Sequence, residues 1–450
     1  MPGMTGLAAA AQRWTNAQVV SRGLRDRQTL LGERQDLYRR VTDSASIARH
    51  QLDTFNSTWA AARRRYRFYA DWQQRHHLPD RVGDLAELKD FPLLRNTDIE
   101  ENFASIADDA APCRLVRTGG TTGRPRRFPR GSEDDLLQHA SMYLGRSWAG
   151  IRAGDPIALI WSHTHLFGNG LMGRVNVARR HVKDWLIGTR RLSAYALDDR
   201  SVARYLALMR ARPGMTLVGY TSCIRKVLDY VERTGYDGAA VQIRAVVFCS
   251  ETVHPRDLER VRRLLKAVPL IEYGMQETGV MAYSRPGSDE LTFFWDTVFC
   301  HVVVEQELAI TTLLPVRFPL INYATGDRVE PLDGGEGPPF RCTRVLGRAR
   351  DILTLPMRDG TAIDTHSDFF FDILQIDEAI SSFFIHQKGR TIDIGIATSS
   401  VEDRARIERR FRAEIAREFP AVDQQGFTFS PLVEEPHTIA GKRRYFLREP

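Results

Sequence analysis

Residues 216–278 read TLVGYTSCIRKVLDYVERTGYDGAAVQIRAVVFCSETVHPRDLERVRRLLKAVPLIEYGMQET. Three short apolar runs, Thr216–Tyr220, Val246–Phe248 and Pro269–Tyr273, are separated by two helical patterns. One lies around Ile224–Arg233; the other, Arg256–Ala267, puts Leu258, Val261, Leu264 and Leu265 on one face. This alternation predicts an α/β sheet with covering helices. Such open sheets bind ligands just beyond the strand ends. That rule points to Tyr220-Thr221-Ser222, Ser250-Glu251 and Tyr273-Gly274.

Working outward toward the N-terminus, Asp199–Ala211 reads as a helix, and Pro156–Trp161 and Cys113–Arg117 read as strands. The first hundred residues read as a helical layer, with Leu24, Leu30, Leu31, Leu37, Tyr38 and Val41 at helical spacing and a second stripe from Phe55 through Trp72. Toward the C-terminus a second unit begins near Gly347. There Ile392, Ile394 and Ile396 alternate as a half-buried strand, and Ile407, Phe411, Ile415 and Phe419 form a helix stripe capped by Ser400. The expected organisation is a large domain, made of a helical region 1–110 and a core 111–347, followed by a small α+β domain 348–450.

The 450 residues carry 63 basic and 56 acidic side chains, a net charge of +7. The arginines stand in pairs and triplets among Asp and Glu, with no basic stripe interleaved with aromatics, which argues for a solvated surface and against nucleic acid. Five cysteines at 113, 223, 249, 300 and 342 form no CxxC pair and indicate neither a disulfide framework nor a zinc site. No apolar run approaches the roughly 18 residues of a membrane span. A cytoplasmic protein without a membrane partner is expected.

The segment Arg117-Thr118-Gly119-Gly120-Thr121-Thr122-Gly123-Arg124-Pro125 combines glycines, hydroxyls and a cation, the ingredients of a polyphosphate cradle. It lacks the Lys-Ser/Thr pair of a P-loop NTPase. Further stretches follow in order: Phe248-Cys249-Ser250-Glu251, continued by Thr252; Tyr273-Gly274-Met275-Gln276-Glu277-Thr278; Tyr323-Ala324-Thr325-Gly326-Asp327; Gly347-Arg348-Ala349-Arg350-Asp351; and Thr438-Ile439-Ala440-Gly441-Lys442. In this order they resemble the motifs of the adenylate-forming superfamily, in its phenylacetate–CoA ligase-like branch. The resemblance spans about residues 85 to 446.

The resemblance implies an ATP site made of Thr118, Gly119, Gly120, Thr121, Thr122, Gly123 and Arg124 around the phosphates. Ser250, Glu251, Thr252, Tyr273, Gly274, Met275 and Gln276 would also bind ATP, the Ser250-Glu251 turn and Tyr273 at adenine, with Asp327 and Arg348 at the ribose. Tyr273 can stack on the base, and Asp327 can accept from both ribose hydroxyls. Glu277, with Thr122 nearby, suits Mg²⁺ on the ATP phosphates. Lys442 is implied as the catalytic cation that stabilises charge gathering between carboxylate and α-phosphate. In a chain whose lysines are only Lys89, Lys183, Lys226, Lys266, Lys388 and Lys442, a Lys at this place stands out. The stretch Trp161–Gly168 would line the acyl pocket with His163, His165, Phe167 and Gly168, and Tyr220 would form a second wall. Arg350 and Asp351 fall at the hinge.

Departures are visible too. Gly119 removes a hydroxyl from the cradle, Arg124 stands where Lys is commoner, and Arg350 replaces an acidic hinge residue. A bidentate Arg can still hold phosphate. The Cys/His cluster of some relatives is missing, so no structural zinc is expected. The expected activity is conversion of an aromatic or other apolar carboxylic acid to acyl-AMP with release of pyrophosphate, then transfer to CoA. Transfer to a carrier protein or an amine is the alternative within enzymes. A catalytically silent nucleotide-binding partner protein is the alternative outside them.

Overall fold

In the computed structural model the described residues are 21–107, 114–118, 126–161, 184, 188–194, 197–314, 316–335, 337–348, 352–366, 370, 374, 379–398, 400–432 and 446–449. Helices α1 (Ser21–Arg40), α2 (Ser44–Arg65), α3 (Arg67–His76), α4 (Asn96–Glu101) and α5 (Phe103–Ala107) come first. A ribbon of β1 (Arg114–Thr118) and β2 (Arg126–Arg130) leads into α6 (Ser132–Trp148). Then come β3 (Ile157–Trp161), β4 (Thr189–Ser193), α7 (Asp199–Arg210), β5 (Thr216–Tyr220), α8 (Thr221–Thr234), β6 (Ala245–Cys249), α9 (Pro255–Arg260) and β7 (Val268–Met275).

Strands β3 to β7 are mutually parallel, in the spatial order β7-β6-β5-β3-β4. They are flanked by β8 (Gly279–Ser284), β9 (Leu291–Phe293), β10 (Val298–Val302), β11 (Glu307–Thr312), β12 (Tyr323–Pro331) and β13 (Arg341–Arg348), which complete an 11-stranded sheet. Every residue of β5 and β6 is buried. Their side chains alternate between two cores. Leu217, Val246 and Phe248 pack with α7 and α8, whereas Val218, Ala245, Val247 and Cys249 pack with Leu144 of α6. Burial on both faces is why these strands read as unbroken apolar runs. Phe248 is fully buried, and a change to Ala there would cost about 3–5 kcal/mol.

Asp43 and Asp198 cap α2 and α7 by accepting from the amides of Ser46 and Ser201, each at 2.8 Å. The helical layer buries Phe55, Trp59, Tyr66, Phe68, Tyr69 and Trp72 in an aromatic cluster that includes Phe91 and Phe318. Arg34 on α1 is buried and donates two bonds to Asp296, at 2.6 and 2.9 Å, and one to Ser141 on α6. The pattern expected as one helix over Arg256–Ala267 is α9 followed by a π-helical turn, Val261–Leu265. The wider turn keeps Val261 and Leu265 buried and leaves Leu264 half-buried before the chain reverses at Lys266, φ 52°.

The chain divides into two compact units. The first is Met1–Thr325 with Val329–Val345; the second is Gly326–Arg328 with Leu346–Pro450. The second contains the hairpin β14 (Ile352–Pro356) and β15 (Ala362–His366), and strands β16 (Ile380–Lys388) and β17 (Thr391–Thr398). Helix α10 (Val401–Glu418) and strands β18 (Phe427–Pro431) and β19 (Phe446–Glu449) complete it. Its four-stranded sheet runs β18-β17-β16-β19. Ile392, Ile394 and Ile396 face Ile407, Phe411 and Ile415 in one core. Ser400 accepts from the Asp403 amide at 3.0 Å, capping α10. No described helix is long and apolar enough to cross a membrane.

Candidate active site

The register of the parallel strands puts Tyr220 beside Cys249 and Cys249 beside Glu272 at one edge of the sheet. The loops that leave these strand ends carry Ser250, Glu251 and Thr252 and the Tyr-Gly-x-x-Glu residues. After β6 the chain turns at Ser250, exposed and at φ 69°. The carboxylate of Glu251 turns inward and accepts from the Ser222 amide at 2.6 Å and the Ser222 hydroxyl at 3.1 Å. An anion at the start of α8 is favourably placed against the unpaired amides and dipole of that helix. Arg225, one turn along α8, donates to the Thr252 carbonyl at 3.3 Å and to both oxygens of Asp257, at 2.9 and 2.7 Å. His254 closes the turn, its imidazole pushed down to about 4 by burial and then by Arg225.

Strands β7 and β8 form a hairpin whose tip carries Gln276, Glu277 and Thr278. Tyr273 is half-buried and packs against Phe293, ring centres 5.7 Å apart. A bulge separates it from Gly274, where a Cβ would meet the Gly279 carbonyl oxygen at 2.3 Å and Val280 Cα at 2.8 Å. Only glycine fits there. Met275 is half-buried, Gln276 exposed and Glu277 half-exposed. The tip is gripped from outside: buried Arg130, the last residue of β2, donates to the Gln276 carbonyl at 3.0 Å.

Beneath Tyr273 lies a polar network. Tyr283 donates to Glu272 at 2.7 Å, Arg146 donates to Tyr283 at 3.3 Å and pairs with Glu272 at 3.5 Å, and the Cys249 thiol lies 3.5 Å from Glu272. Burial opposes the charge on Arg146, but Tyr283 and Glu272 outweigh it and raise the guanidinium pKa. Burial, with Glu272 second, pushes the Tyr283 hydroxyl well up. The network therefore keeps Arg146 charged and the Tyr283 phenol neutral beside Glu272 on β7.

Tyr220, expected as a pocket wall, is 3% exposed and stacks on Trp161 at 4.2 Å. Asp327 is half-exposed on β12, after Gly326 at φ 78°; the preceding Thr325 is buried and donates to the Leu308 carbonyl at 2.9 Å. Thr118 ends β1, paired with Arg126, and Arg348 ends β13. Gly119, Gly120, Thr121, Thr122, Gly123 and Arg124 lie outside the described residues. So do His163, His165, Phe167, Gly168, Arg350, Asp351 and Lys442. The structure thus brings Tyr220, Ser250, Glu251, Thr252, Tyr273, Gly274, Met275, Gln276 and Glu277 to neighbouring strand ends. Sequence reading placed Ser222 at a strand end but not as the anchor of Glu251, and it missed Arg225, Arg130, Arg146 and Glu272. A charged residue inside the apolar run Pro269–Tyr273 was the available signal for Glu272.

No family model matches the chain. Solved structures of 2-hydroxyisobutyryl-CoA ligase in a postadenylation state superpose with a TM-score of 0.67 over 90% of this chain and 89% of theirs, at 13% identity. The fold is that of the adenylate-forming superfamily. Phenylacetate–coenzyme A ligase of Escherichia coli K12 is 24% identical over 299 residues, 62% of this chain. Protein CapK of Staphylococcus aureus is 19% identical over 417 residues, 90% of each chain. The chain's similarity in sequence is thus to phenylacetate–coenzyme A ligases, at identities below 25%. The chain matches 65% of the length of the E. coli ligase, just under two thirds.

Proposed function

We propose that this protein activates a carboxylic acid with ATP. The acid's carboxylate oxygen attacks the α-phosphorus, the bond to the β-phosphate oxygen breaks, and acyl-AMP and pyrophosphate form. In the second half-reaction a thiolate, that of CoA, attacks the acyl carbon and AMP leaves. The observation that carries the reading is the convergence of the Ser250 turn and the Glu277 hairpin on adjacent strand ends, in a chain similar to CoA ligases. Tyr273 would flank adenine, Asp327 and Arg348 would hold ribose, and residues 118–124 would hold the phosphates.

An anionic, half-exposed Glu277 fits a hard oxygen-seeking cation. It would hold Mg²⁺ with Thr122, and the ion would neutralise phosphate charge. Lys442 would supply the cation for the first half-reaction. Rotation about Arg350 and Asp351 would then clear it for the thiol. The stretch 161–168, with His163, His165, Phe167 and Gly168, suits an aromatic or apolar acid.

Transfer of the acyl group to a carrier protein or an amine is the alternative that shares the same first half-reaction. One screen tests both: pyrophosphate release with a panel of acids, with and without CoA. Acid-dependent release that ends in acyl-CoA supports the first reading. Acyl-AMP that persists in CoA supports the second, and no release with any acid overturns both in favour of a silent nucleotide-binding partner.

A further inference from the structure

We propose that Arg130 is a positioning residue that locks the phosphate-loop ribbon to the Glu277 turn, so that the two halves of the Mg²⁺-ATP grip act as one unit. The inference rests on the functional reading above and adds to it a residue outside every motif.

The ribbon of β1 and β2 is a separate two-stranded sheet. Two strands alone are marginal in water, so its placement depends on what its buried side chains touch. Phe128 and Arg130, two apart and so on one face of β2, are 3% and 4% exposed. Phe128 anchors in the core that contains Phe293 and, at its edge, Tyr273. Arg130 supplies the polar anchor. It donates to the Gln276 carbonyl at 3.0 Å, the Gln138 side-chain oxygen at 2.7 Å and the Asp134 carbonyl at 3.2 Å.

One of these partners, Gln138, also lies against the hairpin. A Cβ on Gly279, at the end of the turn, would meet Gln138 Cβ at 3.1 Å, so α6 already lies against the turn. The Asp134 carboxylate accepts from the Gly131 amide at 2.7 Å and from the Arg317 amide at 3.2 Å, fixing the exit of β2. Pairing of Arg114 with Arg130 and Thr118 with Arg126 puts Arg130 at one end of the ribbon and Thr118 and Arg126 at the other. At about 3.4 Å per residue, the arm from Arg130 to Arg126 is about 14 Å long. A small tilt at Arg130 becomes a larger displacement at Thr118 and Arg126, whereas the Glu277 turn is held directly by the same guanidinium.

The test compares Arg130→Met and Arg130→Lys with the unaltered full-length protein. Amide hydrogen exchange of residues 275–280 reads the tie itself. Apparent KM for Mg²⁺-ATP, KM for the acid and kcat, from pyrophosphate release, read its role. Loss of the tie is expected to speed exchange of the turn about tenfold and to raise KM for Mg²⁺-ATP at least as much in Arg130→Met, with KM for the acid unchanged. Arg130→Lys, which keeps one donor, should recover part of both effects. Unchanged exchange in a variant with a cooperative melting transition would overturn the tie, and equal rises in both KM values would overturn the role. If the unaltered protein releases no pyrophosphate with any acid, the functional reading fails, and the exchange arm still decides whether Arg130 holds the turn.

Discussion

The carboxylate of Glu251 is bound to Ser222, 29 residues earlier, through both the backbone amide and the hydroxyl of that residue. The turn after β6 is therefore fastened to the first turn of α8. Glu251 supports the Ser250 turn from behind, and its side chain is already engaged within the protein.

From this fastening, Glu251→Ala should lower stability by about 1–2 kcal/mol, the usual range for loss of a helix-capping side chain. It should also raise KM for ATP several-fold by loosening Ser250 and Thr252. Ser222→Ala, which keeps the amide bond and loses only the hydroxyl, should cost less than about 1 kcal/mol. Urea denaturation and ATP titration check the pair, and equal effects of the two changes would contradict the geometry.

Glu277→Gln should weaken the response to Mg²⁺, because a neutral amide is a poorer ligand for a hard cation. Asp327→Ala should raise KM for ATP with little change in the Mg²⁺ requirement. Titrating each variant with ATP at fixed Mg²⁺, and the reverse, separates the two roles. Wild-type dependence in both variants would mean that the nucleotide binds elsewhere.

Lys442→Ala is expected to leave ATP binding nearly intact while acyl-AMP formation falls about 10²–10³-fold, since its charge matters most where negative charge builds in the transition state. Single-turnover formation of acyl-AMP, set beside equilibrium ATP binding, is the measurement. An unaltered adenylation rate would remove Lys442 from the mechanism.

His301, on β10, is 3% exposed and has no hydrogen-bond partner on either ring nitrogen among the described residues. Burial, and then Lys89, push its imidazole down from 6.5 to about 4. Between these values the unfolded chain binds the extra proton and the folded chain does not, so stability falls as pH drops from about 6.5 to about 4 and levels below. His301 contributes up to about 3 kcal/mol of that fall. His139 and His254 act in the same direction. Urea midpoints at pH 7 and 4.5 should differ less in His301→Phe than in the unaltered protein. An identical difference would show that His301 does not carry this part of the acid sensitivity.

Much of the sheet could be read directly because its signals are local. The run Thr216–Tyr220 is a strand over those same residues, and Ser400 caps the helix it was expected to cap. The supports of the candidate site are different. Arg146 meets Tyr283, 137 residues away, and Arg130 meets Gln276, 146 residues away. No periodicity marks such pairs, because each partner follows the pattern of its own element and the contact exists only after the sheet forms. The π turn after α9 was hidden for another reason. A stripe of Leu258, Val261 and Leu265 fits a regular helix as well as a widened one.

Gly274 and Glu277 stand three residues apart in one motif, yet physics holds them for different reasons. The 2.3 Å approach to the Gly279 carbonyl makes Gly274 a demand of the hairpin, which applies whether or not any ATP is ever bound. Glu277 lies half-exposed at the tip, where no such backbone approach dictates the residue. If a lineage with this fold abandoned adenylation, random substitution would be expected to erase Glu277 early and Gly274 last. The presence of Gly274 in a distant relative therefore says that the hairpin is built, while the letter three places on reports whether the chemistry is still under selection.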